Sequence, residues 1–364
     1  MTDLSELTTM RVGGAAHTML APETPHELIA QTLEVWGSSE EWLVLGGGSN
    51  LVVGDEGFDG TVIRVLTRGI ERLDSAPGTV RLRIQAGESW DALVAHAISN
   101  GWAGIEGLSG IPGSCGAAPI QNIGAYGQEL SDSLARIDFL DYLDGDVADL
   151  TVSDLALGYR SSAIKEGRRG IVTAIELDLL DTGDGLSAPI AYDQLAAALG
   201  VKLGDRVALS TVRDTVLALR ASKGMVLDPA DPDSVSCGSF FTNPIVGENF
   251  ARTLPENAPR WPMEQEPSDA AVPLGEQPAL PPHRVDHRVK LSAAWLIERA
   301  GIEKGFRLPG SRAAISSKHT LAIVNTGDAT ADEIAQLARF VHTRVFSEFG
   351  VRLQAEPNLV GVQL

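Results

Sequence analysis

The sequence predicts an α+β fold, with runs of strands mixed with isolated amphipathic helices. Three observations carry this. Short β-prone runs recur along the chain, each bounded by glycine or other turn residues. The first helical pattern has its own start and stop signals. The turn Gly46-Gly47-Gly48-Ser49-Asn50 joins two strand-like runs, whereas a Rossmann fingerprint joins a strand to a helix.

In chain order, Thr24-Pro25-His26-Glu27 is a capping box with proline at the first helical position, and Leu28, Ile29, Leu33 and Trp36 supply an apolar face ending at Gly37. Trp42–Leu45 and Leu51–Val53 read as strands on either side of the glycine turn. Strands follow at Thr61–Val65 and Val80–Ile84, and a helix runs from Trp90 to Ile98, stopped by Asn100-Gly101. Ala135–Tyr142 and Ile171–Leu179 are further strands, and the second lacks strict alternation, as a strand buried on both faces would. A helix from Val212 to Ala221 ends at Lys223-Gly224, where a domain boundary is expected.

Residues 255–289 are rich in proline and acidic groups and read as an inserted loop or flap. His283 and His287 flank Asp286 there, but such a pair binds metal convincingly only on a helix, so no metal is expected. A helix resumes over Leu291–Ala300, a strand is expected within Ala314–Asn325, and Thr330-Ala331-Asp332-Glu333 caps a last helix reaching Phe349-Gly350.

With 364 residues, 44% of them hydrophobic, the chain has room for two or three domains. Its 48 acidic residues against 29 Lys and Arg give a net charge of -19, which repels nucleic acid and anionic lipid. An anionic small ligand then needs local cations, for which Arg160, Lys223, Lys290, Arg307, Arg312 and Lys318 are candidates. Cys115 and Cys237 form neither a disulfide framework nor a CxxC site, which suits a reducing cytoplasm. The first residues lack the pattern of a signal peptide, and no apolar run approaches the roughly 20 residues that cross a bilayer.

The densest signal is Gly107-Leu108-Ser109-Gly110-Ile111-Pro112-Gly113-Ser114-Cys115-Gly116, continuing to Gln121-Asn122-Ile123-Gly124-Ala125-Tyr126-Gly127. Little in it fills a core, and bare backbone lets successive N–H groups converge on phosphate oxygens. A phosphate-bearing cofactor is one reading and a long surface loop the other; the remaining glycine-rich segments favour the cofactor. No Gly-x-Ser-x-Gly elbow is present, so a Ser/His/Asp hydrolase has little support.

Taken in order, Arg11-Val12-Gly13-Gly14, Gly46–Asn50, Gly110–Gly113, Gln121–Gly127, Tyr159-Arg160, Gly238-Ser239-Phe240-Phe241, Asn243-Pro244 and Glu356-Pro357-Asn358 make nearly the whole chain resemble the UDP-N-acetylenolpyruvoylglucosamine reductase (MurB) family. Pro189–Leu195 is similar to a segment of the family's longer form. The 255–289 insertion has no counterpart in the family pattern.

The resemblance implies a PCMH-type (vanillyl-alcohol oxidase-like) FAD-binding portion of two subdomains, 1–66 (joined by 350–364) and 67–222, followed by an α+β substrate domain at 223–349. It implies FAD as cofactor and NADPH as hydride donor, and reduction of UDP-N-acetylglucosamine enolpyruvate to UDP-N-acetylmuramate for peptidoglycan. Arg160, Ser239 and Glu356 match the catalytic positions. Gly46, Gly47, Gly48, Ser49, Asn50, Gly110, Ile111, Pro112, Gly113, Ser114, Gly116, Gln121, Asn122, Gly124, Ala125, Tyr126 and Ile171 are the implied cofactor contacts, and Tyr159, Tyr192, Lys223, Asn243 and Lys290 the substrate contacts. A monomer with no nucleic-acid or membrane partner is expected. Two alternatives stay open on sequence alone: a PCMH-type oxidase of a small alcohol or sugar, and a non-catalytic nucleotide-sugar binding protein.

Overall fold

The computed structural model describes residues 2–38, 40–263 and 288–364. Its N-terminal part is a parallel sheet in which Phe58–Arg64 lies between Ala16–Leu20 and Trp42–Leu45. Parallel neighbours need a crossover, and the helix Pro25–Gly37 supplies it with the expected capping box and Pro25 in its first turn. Successive residues of the central strand serve opposite faces: Val62 packs with Leu4, Leu45 and Val53, while Ile63 packs with Leu28 and Val35 of the helix. The helix face differs from expectation. Leu33 is 40% exposed, and Thr32 and Val35 are buried instead, because the axis is rotated toward the sheet's Ile63 and Val65.

A second, antiparallel sheet runs in the order Val147–Thr151, Leu134–Asp141, Gly170–Asp181, Thr79–Gln85, Ile70–Leu73, with Trp102–Ala103 pairing the end of the long strand. In Thr79–Gln85 the residues Val80, Leu82 and Ile84 point into the core with Trp90, Leu93, Val94 and Ala97 of the helix Trp90–Ser99. The alternate residues Arg81 and Arg83 point the other way, onto Asp178, Asp138 and Glu176. Gly170–Asp181 is buried on both faces for that reason: one face is apolar, and the other lies under guanidinium groups.

The C-terminal part has its own core, built on Ile334, Leu337, Ala338, Val341 and Val345 of the capped helix Ala331–Phe349. Where one strand was expected there is a hairpin, Ala313–Ile315 with Ile323–Asn325. Leu291 ends a strand, and the next helix, capped by Ser292, is Ala293–Arg299. The proline-rich stretch begins and ends in ordered pairing, since Arg260–Pro262 and Ile245–Gly247 flank Arg288–Leu291. His283, Asp286 and His287 lie outside the described residues.

One strand pair closes the molecule. Asn358–Val360 runs parallel to Leu51–Val53, so the end of the chain returns to the first glycine turn and carries Glu356 with it. Among the described residues no helix is long and apolar enough to cross a membrane, and no group of three or more His, Cys, Asp and Glu is placed to hold a metal.

Candidate active site

The two glycine loops lock together through their main chains and line one cleft. A Cβ on Gly47 would lie 2.6 Å from Gly113 Cα, and the Ser49 hydroxyl donates to the Pro112 carbonyl at 3.0 Å. Gly113 has φ +117, in the region that favours glycine, and any side chain there would run into Ser49 Oγ at 2.7 Å. Besides exposing bare backbone to a ligand, these glycines are needed for one loop to dock on the other.

Val44, Trp90, Phe139, Ile171 and Val172 give the cleft apolar walls. The N–H groups of Gly47, Gly48, Ser49 and Gly113 have no hydrogen-bond partner among the described residues. Unpaired donors on glycine loops, beside a long apolar trough, fit the diphosphate and rings of a dinucleotide. Gly46–Asn50, Ile111–Ser114, Gly116, Gln121, Gly124 and Ile171 all line this space. Gly110, Asn122, Ala125 and Tyr126 stand behind it. The Gly110 N–H donates to Asp91, the Asn122 amide holds Glu129, Ser131 and the Gly158 carbonyl, and Tyr126 faces Tyr192.

Arg160, Ser239 and Glu356, far apart in the chain, line the same cleft. Arg160 has left-handed backbone (φ +53) and sends its guanidinium back to the carbonyls of Asn122 (3.2 Å) and Gly124 (2.6 Å). Its Nε meets Glu356 Oε1 at 3.2 Å. Ser239 precedes Phe240, whose side chain is fully buried in the C-terminal core and whose carbonyl accepts from the Glu356 N–H at 2.9 Å. Burial pushes the Glu356 carboxyl above its ordinary value, and the neighbouring Arg160 and Lys165 charges oppose it. Cys237 also lines the cleft, but burial pushes its thiol up to about 12, so it is no nucleophile.

The expected substrate contacts form two groups off the cleft. Lys290 Nζ lies 4.8 Å from the Tyr159 ring, whose hydroxyl hydrogen-bonds with Asn243; the Asn243 Oδ1 also accepts from the Ala293 N–H. In the other group, Tyr126 and Tyr192 meet edge to face at 5.9 Å, with Lys223 Nζ 5.6 Å from the Tyr126 ring. Arg312 and Lys318 pair elsewhere, with Asp328 and Asp231, and Arg307 is exposed.

Two cations at the cleft escaped sequence reasoning. Arg220 lines it from the helix Leu209–Ala221, with its Nε buried and unpartnered. Lys165 sits behind Glu356 and donates to its carbonyl at 3.3 Å. Neither belongs to a motif: Lys165 follows Arg160 by five residues in a turn segment, and Arg220 precedes a helix end.

A family model for the FAD binding domain matches residues 16–151. Together with the two sheets and the glycine-lined cleft, this makes the chain an oxidoreductase with a PCMH-type FAD-binding fold, of α+β class. A second family model, for the UDP-N-acetylenolpyruvoylglucosamine reductase C-terminal domain, matches residues 229–360. The chain is 59% identical to the UDP-N-acetylenolpyruvoylglucosamine reductase of Leifsonia xyli subsp. xyli, over 100% of both chains. It is 48% identical to that of Saccharopolyspora erythraea, over 99% of this chain and 95% of the relative. The crystal structure of UDP-N-acetylenolpyruvylglucosamine reductase (MurB) from Thermus caldophilus superimposes with a TM-score of 0.63 at 26% identity, covering 99% of this chain and 97% of the other. The chain belongs to the UDP-N-acetylenolpyruvoylglucosamine reductase family.

Proposed function

We propose that the protein reduces UDP-N-acetylglucosamine enolpyruvate to UDP-N-acetylmuramate with NADPH, in the cytoplasm and as a monomer, supplying peptidoglycan synthesis. The division into 1–66 with 350–364, 67–222 and 223–349 is part of this reading. FAD, which Gly46–Asn50 and Ile111–Ser114 would hold, would supply two-electron chemistry between NADPH and the enolpyruvyl carbon remote from the carboxylate. The single observation that carries the proposal is the meeting of Arg160, Ser239 and Glu356 on the cleft that the glycine loops line.

Hydride addition leaves negative charge on the enolpyruvyl unit, delocalised into the carboxylate as an enolate. Arg160, always protonated and held by two carbonyls, suits that charge without reorganising. The Ser239 hydroxyl gives its proton to the carbon next to the carboxylate, completing the saturated lactyl unit. Serine is a weak acid, but an adjacent enolate is a strong base, so position counts for more than pKa. Glu356 steadies the intermediate from the Arg160 side. The groups around Lys290 and Lys223 hold the diphosphate or uracil end of the nucleotide, and their cations offset the repulsion that a net charge of -19 exerts on the diphosphate.

The test is spectroscopic. The purified protein is expected to be yellow, NADPH to bleach it, and the enolpyruvyl sugar nucleotide to restore the colour far faster than oxygen does. Fast reoxidation by oxygen and none by the sugar nucleotide would overturn the proposal in favour of an oxidase.

A further inference from the structure

We propose that Lys165 is a positioning residue for the half of the reaction in which the enolpyruvyl substrate is reduced and the flavin reoxidised, fixing the main chain of Glu356 and supplying the second cation that its carboxylate needs once substrate occupies Arg160. This rests on the role given above to Glu356.

The geometry is specific. Lys165 Nζ donates to the Glu356 carbonyl at 3.3 Å, and the same oxygen accepts from Asn50 Nδ2, also at 3.3 Å. Asn50 belongs to the first glycine loop, and Lys165 to the segment after the left-handed Arg160. The Glu356 N–H is tied to Phe240 beside Ser239. The backbone of one carboxylate residue is thus clamped from three directions. Lys165 is itself held: its N–H donates to Ser162 Oγ at 3.1 Å, and that buried hydroxyl donates to the Ile120 carbonyl at 2.6 Å, next to the cleft-lining Gln121.

A lysine on a net acidic surface has no need to withdraw from water, yet Lys165 is half-buried, and burial pulls its ammonium below the ordinary value while the Glu356 charge opposes this. Such a position is favoured only if the charge is used. The groups facing Glu356 are Arg160, Lys165, Tyr159 and Cys237, and Glu166 faces Lys165 from the same turn. Arg160 is the sole direct ion-pair partner of Glu356 among the described residues. In the proposed reaction the incoming carboxylate competes for that guanidinium, and two carboxylates on one cation raise the proton affinity of both. Lys165 offsets this from behind.

The test uses the FAD-loaded enzyme and two variants, Lys165→Gln, which keeps a donor to the Glu356 carbonyl but loses the charge, and Lys165→Arg, which keeps the charge. Enzyme reduced with NADPH is mixed with the enolpyruvyl sugar nucleotide, and the single-turnover reoxidation rate is followed across pH. Removing a nearby positive charge raises a carboxyl pKa, so the limb governed by Glu356 should move upward by about one pH unit in Lys165→Gln and stay in place in Lys165→Arg. Flavin reduction by NADPH serves as the internal control. A limb unmoved in Lys165→Gln, or moved equally in both variants, overturns the proposal. If Lys165→Gln takes up no flavin, Lys165→Arg decides alone, and a displaced limb there counts against it. Glu356→Gln separates the two layers: a wild-type limb in that variant means that Glu356 is not the titrating group, which removes the reading on which Lys165 depends.

Discussion

Two sets of arginine–carboxylate contacts in this molecule have the same ingredients and opposite character. On the outer face of the antiparallel sheet, Glu176 accepts from Arg136 through both Nε (2.9 Å) and Nη2 (2.8 Å), and from Arg83 at 3.0 Å. Arg83 also grips Asp138 through both of its Nη groups, and Arg136 reaches Asp149. Glu176, Arg83 and Arg136 each have two partners, and the hydrogen bonds from Arg136, then Arg83, hold the Glu176 carboxyl below its ordinary value despite burial. In the cleft, Glu356 has one contact with one arginine, and burial prevails over it. The saturated set fixes strand register. The unsaturated set leaves lone pairs and N–H groups free for a ligand, which is the condition for chemistry.

The contrast predicts that cleft variants change turnover and sheet variants change stability. The largest effect is expected at Ser239. Ser239→Ala removes the proposed proton donor from a residue whose neighbour Phe240 keeps the local fold, so turnover should fall by several orders of magnitude, about 10³-fold or more on the scale of general-acid catalysis plus positioning. Flavin reduction by NADPH and the denaturation midpoint should hold. Unchanged steady-state turnover would reject the assignment.

Next is Glu176→Gln. Its side chain is only 3% exposed, but its partners Arg83 and Arg136 are 28% and 37% exposed, so water softens the loss. A cost of about 2–3 kcal/mol is expected, below that of breaking a fully buried pair, with kcat/KM within about twofold because no network residue lines the cleft. The pH sign follows. A carboxyl with a depressed folded pKa contributes stability above its ordinary value of 4.5, and loses it as pH falls through the folded pKa. The variant should therefore shed part of the wild-type's acid-induced loss of stability. Chemical denaturation at pH 7 and pH 4 checks both points, and a large drop in activity would break the division between the two sets.

The sequence made the elements that follow local rules easy to read. The capping boxes at Thr24 and Thr330 are present as expected, as are the strands Trp42–Leu45 and Leu51–Val53 around the glycine turn. What escaped was tertiary. Leu33 looked like part of the apolar face, but only packing against Ile63 and Val65 determines which stripe is covered. The reason for Gly47 and Gly113, each making room for the other loop, is a contact across 66 residues that no periodicity encodes. Motif order pointed to Arg160, Ser239 and Glu356, whereas Lys165 and Arg220 carry no pattern and become visible only when the cleft closes around them.

The smallest expected effect tests a third arrangement, a half-buried titratable group with no carboxylate at all. His319 is drawn down to about 4, first by burial and then by the like charges of Lys223 and Lys304. Its ordinary value is 6.5, so on acidification the unfolded chain takes up this proton before the folded one does. Stability is then lost as pH falls from 6.5 toward 4, a window that opens at higher pH than that of Glu176. His319→Gln should remove a slope worth on the order of 1 kcal/mol between pH 6.5 and 5. Thermal or urea unfolding at half-unit steps measures it. Because Lys223 belongs to the group proposed to hold substrate, binding of UDP-N-acetylmuramate by the variant sharpens the contrast further: a histidine that only fills space leaves that affinity unchanged at pH 8, where it is neutral, whereas a weakened complex at that pH would move His319 from the structural side of the comparison to the functional one.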